Sequence, residues 1–323
     1  MARPSRISDS FNHWALRHGF PALLKLAPRL SRRSSHFGAR LVISAVMGLY
    51  RTPYAAVDRN LARLLGVTEG SLRVRAARWK MFHLFSCAWV DLFRFAQLGP
   101  EEIFGETQEI AGREHLEAAH ARGKGVILLT AHLGCWELGG VFLRHLGMPL
   151  SVVYVPDAFA DIEAARQILR KLSGVDEIPI RPQDTLASLP VLRALRENRV
   201  VAMQGDRDFN DRGETFDFFG APAPFPTGPF HLARMTGAAL VPCFIAYAGN
   251  GKFSLALEPM ITVEATAQRS VDVRGAIARW LPTLENALRR WPLQWFTFYD
   301  FWGKERTAAQ PVVALDSPAE SRA

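Results

Sequence analysis

Residues 125–140, GVILLTAHLGCWELGG, constrain the fold more than any other stretch of this chain. A short apolar run at 126–130 reads as a buried β-strand. It ends at His132, and Gly134, Glu137 and Gly139 follow closely. A strand ending in a histidine, then a glycine-loosened turn and an acid, is one way a fold presents a general base with an orienting carboxylate. Two residues five apart on one α-helix point roughly 140° away from each other, at about 100° per residue. His132 and Glu137 therefore meet only if His132 stays on the loop and Glu137 lies in the first turn of the next helix, predicted over 135–146. Gly134 permits that bend. The same residues also fit a surface histidine beside an acid that merely favours the helix dipole.

The rest of the chain alternates in the same way. Helices are predicted over 73–97, 114–122, 160–172, 185–197 and 274–290, with a further one running to Met235 from a Thr227 cap. Strands are predicted over 151–155, near 177–180, and over 200–204, 240–246 and 252–257. The aromatic stretch 291–302 reads as half strand and 307–323 as a loose tail. Strands alternating with helices point to an α/β fold with a mainly parallel sheet flanked by helices on both faces. In such sheets sites form at the carboxyl ends of strands, where His132 falls.

At 323 residues the chain can bury a full core, and with 49% hydrophobic and 22% charged residues it is not a disordered polymer. The net charge of +8 suits an anionic partner: nucleic acid, an acidic membrane surface, or a phosphorylated or acidic-carrier substrate. Cys87, Cys135 and Cys243 are few and widely spaced, which points to a reducing compartment and no zinc site. No secretory signal is evident.

No segment reads as a membrane span; the most apolar N-terminal piece, 41–50, is far short of roughly 20 residues. Yet Phe11, Trp14, Phe20, Leu23, Leu24, Leu26 and Leu30 mix with Arg17, Lys25, Arg29, Arg32 and Arg33. That mixture fits short helices lying in a membrane interface, and equally a basic helical hairpin packed on the domain. The expected organisation is an N-terminal helical, membrane-associating region at 1–60, an α/β domain at 61–306 and a flexible tail at 307–323.

Two other clusters stand out. In QGDRDF (204–209) an apolar strand ends with two acids flanking Arg207. Such a loop either binds a polar head group or locks itself by salt bridges. FFGAPAPFPTGPFHL (218–232) reads as a rigid loop entering a helix. Nucleotide-binding glycine loops, HExxH and GxSxG are absent.

In order and content, GKGVILLTAHLGCWELGG, QGDRDF, FFGAPAPFPTGPFHLARMTGAALVPCF and the terminal QWFTFYDFW resemble the bacterial lipid A biosynthesis (lauroyl/myristoyl) acyltransferases. That family lies within the lysophospholipid acyltransferase superfamily and is similar to the mycobacterial phosphatidylinositol mannoside acyltransferases. The resemblance implies a glycerolipid-acyltransferase-like α/β fold. It implies transfer of a fatty acyl group from acyl carrier protein or acyl-CoA to a hydroxyl of a lipid or glycolipid acceptor. The place of action it implies is the cytoplasmic face of the inner membrane, against an anionic surface, with no metal, no cofactor and no nucleic acid. Carried over residue by residue, His132 and Glu137 are catalytic and Arg170 and Asp206 are substrate-binding, with Arg166 close to the arginine position. The oxyanion stabiliser is expected from backbone N–H groups near Gly134, or from Arg170. The chain departs from the family where many members carry arginine after the second-strand tyrosine: Tyr154 is followed by Val155. Two rival readings are a thioesterase or hydrolase using His132 on water, and a basic nucleic-acid-binding protein.

Overall fold

The structure, a computed structural model, describes residues 26–49, 54–156, 160–180, 188–208, 212–248 and 251–303. Among the described residues a 3-10 turn (Ala27–Arg29) leads into three helices: α1 (Arg32–Leu49), α2 (Tyr54–Leu65) and α3 (Leu72–Phe95). Then follow α4 (Pro100–Gly105), β1 (Thr107–Ala111), α5 (Arg113–His120), β2 (Val126–Thr130), α6 (Gly139–His145) and β3 (Leu150–Tyr154). The middle of the chain gives α7 (Ala160–Leu172), β4 (Asp176–Pro179), α8 (Ser188–Arg196) and β5 (Val200–Gln204). A hairpin of β6 (Glu214–Phe218) and β7 (Ala221–Phe225) precedes α9 (Gly228–Thr236), β8 (Ala239–Tyr247), β9 (Phe253–Leu257) and α10 (Arg269–Arg290).

Among the described residues the sheet has seven strands in the order β1-β9-β8-β2-β5-β3-β4. The block β8-β2-β5-β3-β4 is parallel, and β9 turns back antiparallel against β8. The fold is thus mixed α/β with a mostly parallel sheet, as the alternation predicts.

Period-two packing explains why β2 is central. Ile127 and Leu129 point into a core shared with Phe218, Phe244 and Trp280. Val126 and Leu128 point the other way, into a core with Phe142 and Phe253. A strand buried on both faces needs an unbroken apolar run, and β8 shows the same, buried along its whole length.

The N-terminal helices belong to this body. Helix α3 is the seat: α1 packs along it, and its buried Asp91, 1% exposed, is a hub. Arg32 of α1 donates from Nε (2.9 Å) and Nη2 (2.7 Å) to the Asp91 carboxylate. His36 Nε2 lies 2.9 Å from the same group, and the Tyr247 hydroxyl of β8 donates at 2.7 Å. Burial pulls the His36 pKa down, but the bond and charge of Asp91 win and raise it to about 9, so the imidazole is charged at neutral pH.

Several segments differ from the sequence reading, among them 291–302, expected to be half strand, which holds a 3-10 turn at Pro292–Gln294 and no named strand. The stretch 218–232 is not all loop: its first part is the β6–β7 hairpin. Helix α6 starts at Gly139 rather than 135, after a single 3-10 turn at Trp136–Leu138. Cys135 donates its N–H to the Ile245 carbonyl of β8 at 2.8 Å, which holds the chain on the sheet edge and delays the helix. No described helix is long and apolar enough to cross a membrane. Of the 1–60 region expected at the membrane, 1–25 and 50–53 lie outside the described residues, as does the whole of the 307–323 tail.

Candidate active site

Strand register assembles the site. β2 and β5 are parallel neighbours in which Thr130 pairs with Gln204. Two residues further along each chain stand His132 and Asp206, so equal extension past paired strand ends sets them side by side at the carboxyl edge. His132 Nδ1 lies 2.8 Å from Asp206 Oδ1, and the His132 backbone N–H donates to Oδ2 at 3.0 Å. The Trp295 indole N–H donates to the same Oδ2 at 2.9 Å. Asp206 is wholly buried and His132 is 8% exposed.

The electrostatics fix the protonation states. Burial pushes the Asp206 carboxyl up, but the charges of His132 and Arg207 and the bonds from His132 and Trp295 outweigh it and bring the pKa to about 2. An ionised carboxylate only accepts, so Nδ1 carries the imidazole proton and Nε2 carries the lone pair. Burial, then the Arg207 charge, hold the His132 pKa below its usual 6.5, although Asp206 pulls the other way. The imidazole is therefore neutral at neutral pH, as a general base must be.

The turn after His132 requires glycine. Gly134 has φ of +61°, and a Cβ there would stand 2.1 Å from the Ile245 carbonyl oxygen. Its N–H donates to the Gln294 carbonyl at 2.8 Å. This corrects one expectation: the N–H groups of Gly134 and Cys135 are both engaged by protein carbonyls and are not pointed at a developing oxyanion.

A second correction concerns Glu137. Its carboxylate is not the partner of the His132 ring; Asp206 is. Glu137 faces α7, where Arg170 Nη2 donates to both of its oxygens at 3.1 and 3.2 Å and Arg166 Nε lies 3.2 Å away. Arg170 also donates to Glu177 of β4 at 3.1 Å, and its guanidinium lies 4.0 Å over the Tyr154 ring. The arginine expected to meet substrate is thus 4% exposed and taken up by carboxylates. The local reason is helical: Glu137 sits in the 3-10 turn before α6, so it is carried past His132 and toward the neighbouring crossover helix.

Arg170→Ala is accordingly expected to cost stability. Removing one partner of a buried ion pair costs about 3–5 kcal/mol. The lower end applies here, because Glu177 keeps some access to water. Chemical denaturation should show the loss, and Arg170→Lys should restore only part of it, since a lysine cannot bridge two carboxylates as the planar fork does.

The described residues of the QGDRDF loop bond to groups outside it. Asp206 serves His132, Asp208 Oδ2 accepts the Gly213 N–H at 2.8 Å, and Arg207 Nη2 donates to the Phe296 carbonyl at 2.6 Å. Trp295 and Arg207 are the site neighbours that spacing alone does not reveal. The signal for Trp295 was the terminal aromatic block, whose contact with His132 exists only in three dimensions. Among the described residues no three His, Cys, Asp or Glu side chains are grouped to hold a metal ion, and the three cysteines are buried and unbridged.

Comparison with known proteins places the chain among acyltransferases. The phosphatidylinositol mannoside acyltransferase of Mycobacterium tuberculosis (strain H37Rv) is 28% identical over 257 residues, 76% of each chain. The lipid A biosynthesis acyltransferase of Haemophilus influenzae is 27% identical over 164 residues, half of each chain. The lipid A biosynthesis lauroyltransferase of Escherichia coli is 30% identical over 147 residues, 44% of this chain and 45% of its own. The family description of bacterial lipid A biosynthesis acyltransferases matches residues 3–304, nearly the whole chain, and the protein belongs to that family.

Proposed function

We propose that this O-acyltransferase moves a fatty acyl chain from an acyl thioester, on acyl carrier protein or coenzyme A, to a hydroxyl of a lipid or glycolipid acceptor, as in lipid A and lipopolysaccharide biosynthesis. The observation that carries the reading is the buried His132–Asp206 pair at the ends of adjacent parallel strands, in a chain whose relatives are acyltransferases. Neutral His132 accepts the acceptor's hydroxyl proton at Nε2, and Asp206, holding Nδ1–H, stabilises the imidazolium. The oxygen bonds to the thioester carbonyl carbon and the C–S bond breaks. The departing thiolate takes the proton back from Nε2, so the base is restored with each turnover. Glu137 acts at one remove, holding Arg166 and Arg170 on the flank of the site. At about 0.8 kcal/mol per buried methylene, the acyl chain supplies ample binding energy.

The test offers the purified protein labelled acyl-CoA and acyl carrier protein, each with a lipid A precursor or a phosphatidylinositol mannoside, and reads products by mass spectrometry. Acylated lipid supports the reading and identifies donor and acceptor. Free fatty acid alone, independent of acceptor, supports a thioesterase instead.

The place of action belongs to the same proposal: the cytoplasmic face of the inner membrane, with peripheral or monotopic attachment. Helix α1 supports it by exposing Phe37 and Leu41, with Leu30 just before it, among Arg29, Arg33 and Arg40. Each basic residue near an anionic surface contributes about 1 kcal/mol and is screened by salt, whereas inserted apolar groups are not. High salt should therefore release part of the protein from anionic vesicles and detergent the remainder. Protein that stays wholly unbound at low salt would overturn this placement.

A further inference from the structure

The last described segment of the chain, far from the His132 motif in sequence, is built into the site from several directions. Leu133 and Trp295 form an antiparallel bridge. The Gly134 N–H donates to the Gln294 carbonyl at 2.8 Å, and the Phe296 N–H donates to the His132 carbonyl at 3.0 Å. Arg207, next to Asp206, donates to the Phe296 carbonyl. The Gln294 side chain pins the segment to β8, accepting the Tyr247 N–H at 2.8 Å and donating to the Tyr247 carbonyl at 3.0 Å. Backbone bonds thus fix the segment on both sides of Trp295. Its ring is 1% exposed, edge-on to Phe301 at 4.7 Å and to Trp302 at 6.0 Å. An indole held in this way cannot turn, and its N–H is aimed at Asp206 Oδ2.

We propose that Trp295 is a positioning residue of acyl transfer, whose indole N–H locks the Asp206 carboxylate in line with His132 Nδ1. With Oδ2 taken by two donors, the His132 backbone N–H and the indole, only Oδ1 is presented to the ring. The carboxylate then cannot rotate about its Cβ–Cγ bond without losing three bonds at once. The indole N–H also drains charge from the carboxylate, which tempers its hold on the imidazolium. Among the described residues, the charges that act on the imidazole include those of Asp206 and Arg207 beyond β5 and Arg166 of α7. Removing the indole N–H leaves the two arginines in place and strengthens only the carboxylate's pull. His132 then takes up its proton at higher pH.

The proposal rests on the acyltransferase reading, so its test includes a readout that needs no turnover. Trp295→Phe keeps an aromatic ring and deletes the donor. It is expected to lower kcat about 10-fold with KM changed less than about two-fold, and to move the acid limb of the pH profile up by about one pH unit, the scale of one hydrogen bond to a charged acceptor. Histidine NMR titration should show His132 shifted in the same direction in the substrate-free protein. Trp302→Phe is the control: it lies in the same aromatic cluster, and its indole N–H serves the Phe218 carbonyl at 3.0 Å rather than the carboxylate. It should lower the thermal midpoint and leave the limb where it was. If Trp295→Phe does not fold, replacement of Trp295 by 3-benzothienylalanine keeps the shape of the ring and lacks only the donor. An unmoved His132 titration in either Trp295 variant overturns the proposal, whether or not the wild-type protein transfers acyl groups. A moved titration without any acyl transfer by the wild type leaves the positioning intact and sinks the functional reading instead.

Discussion

His132→Ala is expected to lower acyl transfer by about 10²–10⁴-fold, the usual worth of a positioned general base. KM for the thioester should change little, because the imidazole acts on the acceptor's proton and not on the acyl chain. The wild-type enzyme should also keep working in mild acid. Burial and Arg207 hold the imidazole below its usual 6.5, so it stays neutral as pH falls through that value, and the acid limb of kcat/KM should lie beneath it. Stability follows the same sign: the unfolded chain protonates His132 near 6.5 before the folded one does, so folding weakens as pH falls through this window. A variant lacking the ring should lose that part of the pH dependence. An alanine variant with near-wild-type turnover would remove His132 from the chemistry.

Asp206→Asn is expected to be nearly as damaging, and far more so than Glu137→Gln. The amide is nearly isosteric, so the strands stay in register. Yet Asp206 accepts from three donors, and an asparagine oxygen can replace only one carboxylate oxygen while its NH₂ confronts another donor. If the amide NH₂ turns toward the ring, it selects the tautomer with the proton on Nε2, which cannot accept one from substrate. A loss of about 10²-fold or more in kcat, measured beside Glu137→Gln in the same assay, would establish the order. The linkage is again one-directional. The carboxyl titrates near 2 when folded against 3.8 ordinarily, so its contribution to stability is complete above 3.8 and is lost as pH falls from there toward 2. Should Glu137→Gln prove the more damaging of the two, the roles assigned to the two acids would have to be exchanged.

The exchange of Glu137 for Asp206 marks the boundary of what the sequence discloses. Strands β2 and β5 and helix α7 stand where apolar runs and periodicity place them, because each carries its signal within a few residues. The partner of His132 stands on another strand. Which parallel strands become neighbours, and in what register, depends on crossovers and core packing written in neither strand. Reading along the chain therefore finds the nearest acid, Glu137. Asp206 entered through family resemblance, cast as a substrate ligand. The hairpin was hidden by its prolines. Pro222 and Pro224 read as loop, but they alternate along β7, so both lie on the side of a two-stranded ribbon where a missing N–H breaks no ladder bond. Strand β1 escaped for the opposite reason: TQEIA at a sheet edge has too few apolar residues to announce itself.

The Asp91 hub decides where this protein can be cut. A helix that only fastened an enzyme to a bilayer could be clipped off to leave a soluble catalytic body. Here α1 brings Arg32 and His36 inward to neutralise a carboxylate that has no access to water, and Tyr247 of β8 completes the cage. Clipping at residue 50 would expose the apolar side of α3 and strand a negative charge beneath the strand that supports the His132 turn. The smallest fragment with an intact interior therefore starts ahead of Arg32. On α1, a gain in solubility comes from repainting the outward side chains Phe37 and Leu41, with the inward side of the same helix left alone.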